Sequence, residues 1–235
     1  MTQAAPPIRA FVFDAYGTLF DVASPVAACA EALGEPAAAL ARLWRDKQLQ
    51  YTWLRTLQGR YADFAQVTAD ALDFALDTLG IHDAALRQRL LDAYRTPSAY
   101  PDAPATLAAL HGRGFRLAIL SNGTPEWLDT AVRASGLGAS LDAVLSADTV
   151  GVYKPHPEVY RQAERALGLP AAAIGFVSSN GWDAYSASAY GLQVVWCNRG
   201  GQAAERLPAA PSYQVSSLDA LLDLPKPPGA GADIA

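Results

Sequence analysis

Cysteine is scarce in this chain: Cys29 and Cys197 are its only two. They fit no zinc-ligand spacing and no C-x-x-C pattern, so neither a zinc ribbon nor a thioredoxin-like redox motif is encoded. Two thiols in 235 residues point to a reducing compartment. Histidine is scarce too, with His82, His111 and His156 in expected helix or loop positions at the surface. No G-x-S-x-G elbow accompanies them, which argues against Ser-His-Asp catalysis. No glycine-rich dinucleotide fingerprint follows the first apolar segment. No apolar run reaches the length of a membrane span. The first residues, MTQAAPPIRAFVFDAYG, lack a charged leader with an apolar stretch and cleavage site. Charged residues make up only 17% and the formal net charge is −5. That balance opposes a broad nucleic-acid or anionic-membrane surface, while leaving room for a local basic pocket. A cytoplasmic protein with no nucleic-acid and no membrane partner is expected.

What the chain does have is apolar bulk. Hydrophobic residues are 51% of the 235, enough to bury a substantial core without staples. Residues 8–14 (IRAFVFD) are apolar and β-rich, as a buried strand requires. Between about Ser24 and Thr96 the periodicity is helical. Leu40, Leu43, Trp44, Lys47, Tyr51 and Leu54 recur at one helical spacing, and Phe64, Val67, Ala71 and Phe74 at another. Strand-helix alternation then resumes, with strands expected at 116–121, 143–146, 174–178, 193–197 and 213–215. Helices are expected at 103–113, 125–135, 158–167 and 183–190. Such alternation with short connections implies a parallel sheet covered on both faces. The expected fold is α/β, a Rossmann-like parallel sheet core with a helical cap domain inserted after the first strand. The core would comprise residues 1–20 and 98–225, and the cap residues 21–97. A disordered tail is expected at 226–235, which is rich in Pro, Gly and Ala, and a short disordered lead at 1–7.

Ligands of open parallel sheets bind beyond the carboxyl ends of the strands. Polar clusters fall at such ends here: Asp14-Ala15-Tyr16-Gly17-Thr18, Ser121-Asn122-Gly123, and Ser178-Ser179-Asn180-Gly181-Trp182-Asp183. Lys154 lies in a loop before a helix. Each cluster alone is ordinary turn chemistry. Together they resemble the haloacid dehalogenase superfamily, in the order Asp-x-x-Gly-Thr, Ser-Asn, Lys-Pro and a late Asp. Within it, FDAYGTLFDV, LWRDKQLQYTWLR, ILSNG, YKP and FVSSNGWD look like the L-2-haloacid dehalogenase branch. The resemblance spans about residues 8–222.

The resemblance implies a hydrolase acting on carbon-halide bonds, with Asp14 as covalent nucleophile. It gives Thr18, Arg45, Lys154, Ser178, Asn180 and Asp183 catalytic parts. Thr18 would bond the nucleophile, and Lys154 would keep Asp14 ionised and draw in an anionic substrate. Asp183 would direct water onto the ester, and Ser178 and Asn180 would hold that water and the ester. Arg45, Asn122 and Trp182 would cradle the halide, and Ser121 would bind the substrate carboxylate. Ala15, Tyr16, Leu49, Phe64 and Tyr160 complete the implied substrate contacts. By residue type alone, Lys154 and Arg45 read equally as solvated surface cations, and Leu49, Phe64 and Trp182 as core.

Two departures from the superfamily's phosphatases point the same way. Tyr16 stands where those enzymes carry a second aspartate that protonates an alkoxide, and a departing halide needs no proton. Ser178 and Asn180 stand where a magnesium-binding carboxylate is kept, which disfavours a hard-cation site. No cofactor and no metal are implied. The expected partners are a small 2-haloacid, halide and a second copy of the chain in a homodimer. Rival readings are a phosphatase acting on a small phosphate ester and a non-catalytic small-acid binder on the same fold.

Overall fold

The structure, a computed structural model, describes residues 6–223. The expected tail at 226–235 and the first five residues of the expected lead lie outside them. Six parallel strands form one sheet in the order β3-β2-β1-β4-β5-β6. They are β1 (Ala10–Phe13), β2 (Arg116–Ser121), β3 (Ala143–Ser146), β4 (Ile174–Ser178), β5 (Gln193–Cys197) and β6 (Tyr213–Val215). All four residues of β1 are completely buried, as expected for a central strand between β2 and β4. β1 is shorter than the apolar run 8–14, although Arg9 and Asp14 still donate backbone N–H groups to Ala173 and Val177 of the β4 side.

Nine helices surround the sheet among the described residues. Between β1 and β2 lie α1 (Ser24–Ala28), α2 (Ala30–Leu33), α3 (Ala37–Gln58), α4 (Phe64–Thr78), α5 (Ala84–Arg95) and α6 (Ala103–Gly112). After β2 come α7 (Pro125–Ser135), α8 (Pro157–Leu167) and α9 (Gly181–Tyr190). Local chemistry sets the boundaries. Asp63, Asp83 and Thr124 cap α4, α5 and α7 by accepting the N–H groups of Gln66, Leu86 and Trp127. α9 starts two residues before the expected 183, because Asn180 takes the N-cap position and Asp183 falls inside the first turn. There its charge meets the positive end of the helix dipole.

α3 departs from the sequence pattern in an informative way. Its buried face is Leu40, Trp44, Gln48 and Thr52, a stripe at i, i+4, i+8 and i+12 that is half polar. Leu54, on the expected apolar spacing, is exposed, as is Phe74 of α4. Apolar periodicity finds Leu40 and Trp44 on the inner face but misses Gln48 and Thr52, whose polar groups are satisfied there by hydrogen bonds.

The strand order fixes where a site can form. From β1 the sheet grows one way through β2 and β3, and from β4 the other way through β5 and β6. The crevice between diverging connections lies at the carboxyl ends of β1 and β4. Asp14 follows β1 directly, and Ser178 ends β4.

Candidate active site

Asp14 is 6% exposed and sits in the turn after β1. Gly17 shapes that turn with φ +93°, and its bare Cα faces the Asn180 amide, which a Cβ would meet at 3.4 Å. The turn brings Thr18 back onto the carboxylate. Thr18 Oγ1 donates to Asp14 Oδ2 at 3.0 Å and accepts the Ser179 N–H at 2.8 Å, so its proton has one destination. Asn180 Nδ2 at 2.7 Å and Ser178 Oγ at 3.3 Å also donate to Asp14 Oδ2. Asp14 Oδ1 accepts only from Lys154 Nζ, at 3.0 Å. The two carboxylate oxygens are thus held very differently: one by three donors, the other by a single ammonium.

Lys154 is 1% exposed and its ammonium lies between two carboxylates, reaching Asp183 Oδ2 at 2.8 Å. It is not the solvated lysine its residue type would allow. Burial alone would lower its pKa, but Asp14 and Asp183 outweigh burial and hold it above the ordinary value. Asp183 is fully buried and also accepts from Tyr160 Oη at 2.7 Å. Burial raises the Asp183 carboxyl above its ordinary value; Lys154 opposes this shift and Asp14 adds to it. Burial, then the Asp183 charge, push the Tyr160 phenol well up, so it stays a donor. The ammonium takes the place between the two acids that a cation would otherwise need. Among the described residues no group of three or more His, Cys, Asp or Glu side chains is placed so that it could hold a metal ion.

Asn122 and Ser121 face the same centre from the end of β2. Asn122 Oδ1 accepts the Lys154 backbone N–H at 3.0 Å, which leaves its Nδ2 as a free donor. Ser121 Oγ accepts the Gly123 N–H at 3.1 Å, which likewise frees its hydroxyl proton. Gly123 is required by packing, since a Cβ there would lie 2.7 Å from the Tyr16 ring. The Tyr16 ring is wedged against Phe20, Phe64 and Tyr94. Its hydroxyl is buried without a partner, and burial pushes the phenol up so that it remains protonated.

Arg45 reaches down from α3. Its Nη2 approaches Asn180 Oδ1 at 3.3 Å and the Tyr16 carbonyl at 3.4 Å, while Nη1 donates to Gln48 Oε1 at 2.8 Å. Asp14, Tyr16, Arg45, Leu49, Phe64, Ser121, Asn122, Lys154, Asn180 and Trp182 enclose a cavity of about 10 Å³. That is the lower limit for one water. A cleft of about 420 Å³ lies outside it, along Arg45, Leu49, Asn180 and Trp182.

Ten of the fifteen residues expected from sequence therefore line one cavity. Thr18, Ser178 and Asp183 stand behind it, bonded to Asp14 or Lys154. Tyr160 touches the cavity only through Asp183. Ala15 is buried under the turn, its carbonyl accepting the N–H groups of Thr18, Leu19 and Phe20. Sequence reasoning passed over Gln48 and Tyr94, which bond each other behind Arg45. The only signal for Gln48 is its place one turn after Trp44 on the inner face of α3.

The arrangement is a buried carboxylate with one lightly held oxygen, a second buried carboxylate, and unspent donors across a small gap. Known proteins resemble this chain in sequence and in fold. The model of the family described as hydrolase, haloacid dehalogenase-like hydrolase, matches residues 8–191. The (S)-2-haloacid dehalogenase 1 of Pseudomonas sp. (strain CBS-3) is 49% identical over 93% of this chain and 96% of its own. A crystal structure of a dehalogenase is 47% identical with a TM-score of 0.91, covering 93% of this chain and 97% of that one. The L-2-haloacid dehalogenase of Xanthobacter autotrophicus with chloropropionic acid covalently bound is 39% identical, with a TM-score of 0.84, covering 92% and 98%. This chain belongs to the haloacid dehalogenase-like hydrolases, and within them to the L-2-haloacid dehalogenases.

Proposed function

We propose that this chain hydrolyses short L-2-haloacids to D-2-hydroxyacids and halide through an ester on Asp14. The observation that carries this reading is the unequal holding of the Asp14 oxygens. Oδ1, free of all donors but Lys154, attacks the α-carbon opposite the halogen, and the carbon-halogen bond breaks as the ester forms. Halide departs toward Arg45, Asn122 and Trp182, where unspent donors meet the developing charge. Ser121 and the nearby backbone N–H groups receive the substrate carboxylate, and Tyr16, Leu49 and Phe64 surround its side chain.

Water then attacks the Asp14 carbonyl carbon and gives a proton to Asp183. The negative charge of the tetrahedral intermediate develops on Oδ2, where Thr18, Ser178 and Asn180 already converge. The same three donors that quiet one oxygen in the first step stabilise it in the second. The ester carbon-oxygen bond breaks at the acyl side, and the departing alkoxide takes the proton held by Asp183 to become the 2-hydroxyacid. The regenerated Asp14 carboxyl loses its remaining proton to solvent, so the α-carbon is inverted once, in the first step.

Residues 21–97 act as a cap over this cavity. The cap side chains Arg45, Leu49 and Phe64 leave this cavity tight, and a shift of α3 and α4 away from the strand ends would widen it during substrate entry. We propose a cytoplasmic homodimer, whose two free thiols, Cys29 and Cys197, fit a reducing compartment. No helix among the described residues is long and apolar enough to cross a membrane.

Halide release from L-2-chloropropionate, with and without chelator, tests the function. Release should continue after exhaustive EDTA treatment, with D-lactate as product. Loss of activity on chelation, restored by magnesium, would favour the phosphatase.

A further inference from the structure

Gln48 is 1% exposed and has no part in the reaction as drawn above. Its amide nevertheless joins three helices. Nε2 donates to Thr68 Oγ1 of α4 at 2.7 Å, and Thr68 Oγ1 donates to the Phe64 carbonyl at 2.6 Å. Oε1 accepts from Arg45 Nη1 at 2.8 Å and from Tyr94 Oη of α5 at 3.1 Å. The direction of this chain is determined chemically. The Thr68 proton is committed to Phe64, so Thr68 can only accept from Gln48. The atom facing Thr68 must be nitrogen, and the atom facing Arg45 and Tyr94 must be oxygen.

The consequence falls on Arg45. Its guanidinium makes no ion pair among the described residues, although Asp14 lines the same cavity. Its one short bond is to a neutral amide. The outer nitrogen makes only the two long contacts to Asn180 and Tyr16. A guanidinium held this way keeps its full charge and a weakly used N–H edge toward the cavity, where an anion is to appear. A carboxylate in place of the amide would bind Arg45 as firmly but cancel that charge.

We infer that Gln48 is a positioning residue for halide departure, aiming Arg45 into the cavity through a neutral bond anchored on Thr68. The inference rests on the dehalogenase reading, and its test separates the two. Wild type, Gln48→Met and Gln48→Glu are compared in single turnover with L-2-chloropropionate and L-2-bromopropionate. Both variants should slow carbon-halogen cleavage about 10-fold or more, a fraction of the loss expected on removing an oriented donor outright. The deficit should be larger for chloride, the poorer leaving group, than for bromide. Hydrolysis of the preformed ester should stay within about 2-fold of wild type. Chloride added as product inhibitor should bind at least several-fold more weakly to Gln48→Glu.

In an Arg45→Ala background, Gln48→Met should add no further loss, because the two side chains act as one unit. If Gln48→Met does not fold, Thr68→Ala removes the anchor at a distance and should give the same chloride-over-bromide deficit at reduced size. Equal losses for both halides, slowed ester hydrolysis, or full additivity with Arg45→Ala would overturn the inference. Absence of halide release by the wild type would instead overturn the proposed function.

Discussion

The two walls of the cavity are built differently. On the strand side, Asp14, Thr18, Lys154, Ser178 and Asp183 are all nearly or fully buried. They bond one another at distances from 2.7 Å for the flanking Asn180 to 3.3 Å for Ser178. Each hydroxyl, amide and ammonium there has its direction set by a second partner. On the helical side Arg45 crosses to the other wall only at 3.3 and 3.4 Å, and its firm bond is within α3. The groups proposed to make and hydrolyse the ester are thus preorganised, while those proposed to meet the leaving group keep unused capacity. Preorganised donors cost no rearrangement when charge develops, and unused ones mark where a new charge is to arrive.

Breaking the strand-side wall should have the largest effect. Asp14→Asn removes the nucleophile and should lower kcat by about 10⁴-fold or more, the scale seen for deleting a covalent catalyst. Retained halide release in that variant, measured in a continuous chloride assay, would show that the carboxylate is not the attacking group.

Lys154→Met strikes both function and stability. It leaves Asp14 and Asp183 as two buried acids without their shared counter-charge. Breaking such a pair costs about 3–5 kcal/mol, which in a domain of this size lowers Tm on the order of 10 °C. Calorimetry near neutral pH should show that fall together with loss of turnover. An unchanged Tm would mean the cluster is better solvated than its burial indicates.

Damage to the helical wall should be smaller and confined to one step. Arg45→Ala should slow the carbon-chlorine step by about 10²-fold, the value of one transition-state donor, while ester hydrolysis keeps its rate. Equal slowing of both steps in rapid-quench experiments would erase the distinction between the walls.

The smallest effect sharpens the strand side. As the proposed base Asp183 would act only when ionised, and its carboxyl is raised by burial. The acid limb of ester hydrolysis should therefore lie above the ordinary carboxylate range, with the rate lost as pH falls through that raised value. The Tyr160 hydrogen bond favours the ionised form. Tyr160→Phe should move the limb to higher pH with little change in the plateau. A limb that moves to lower pH would assign the titration to another group.

What was legible in the sequence divides along the same line. Strands 116–121, 143–146, 174–178, 193–197 and 213–215 coincide with β2 to β6, since short apolar runs between turn residues have few alternatives. Asp14, Lys154 and Asp183 could be singled out because the resemblance orders them in a fixed series of motifs, although by residue type alone Lys154 reads as a surface cation and Asp183 as a first-turn helix residue. Gln48 and Tyr94 could not, because they matter through one buried amide shared by three helices, and no local periodicity carries that. Half of the inner face of α3 was hidden for the same reason: it is polar. Ala15, expected at the substrate, also accepts the N–H groups of Thr18, Leu19 and Phe20 on its carbonyl, a turn contact that no side-chain pattern announces.

The central claim is that Asp14 forms an ester whose acyl carbon, and not the α-carbon, is attacked by water. A single turnover in ¹⁸O-water measures it directly. The account predicts that the 2-hydroxyacid from the first turnover carries no label in its hydroxyl oxygen. The label should appear in the Asp14 carboxylate, detectable by mass spectrometry of the Asp14 peptide, and enter product only on later turnovers. Label in the product hydroxyl on the first turnover, with an unlabelled Asp14, would make Asp14 a base and contradict the account.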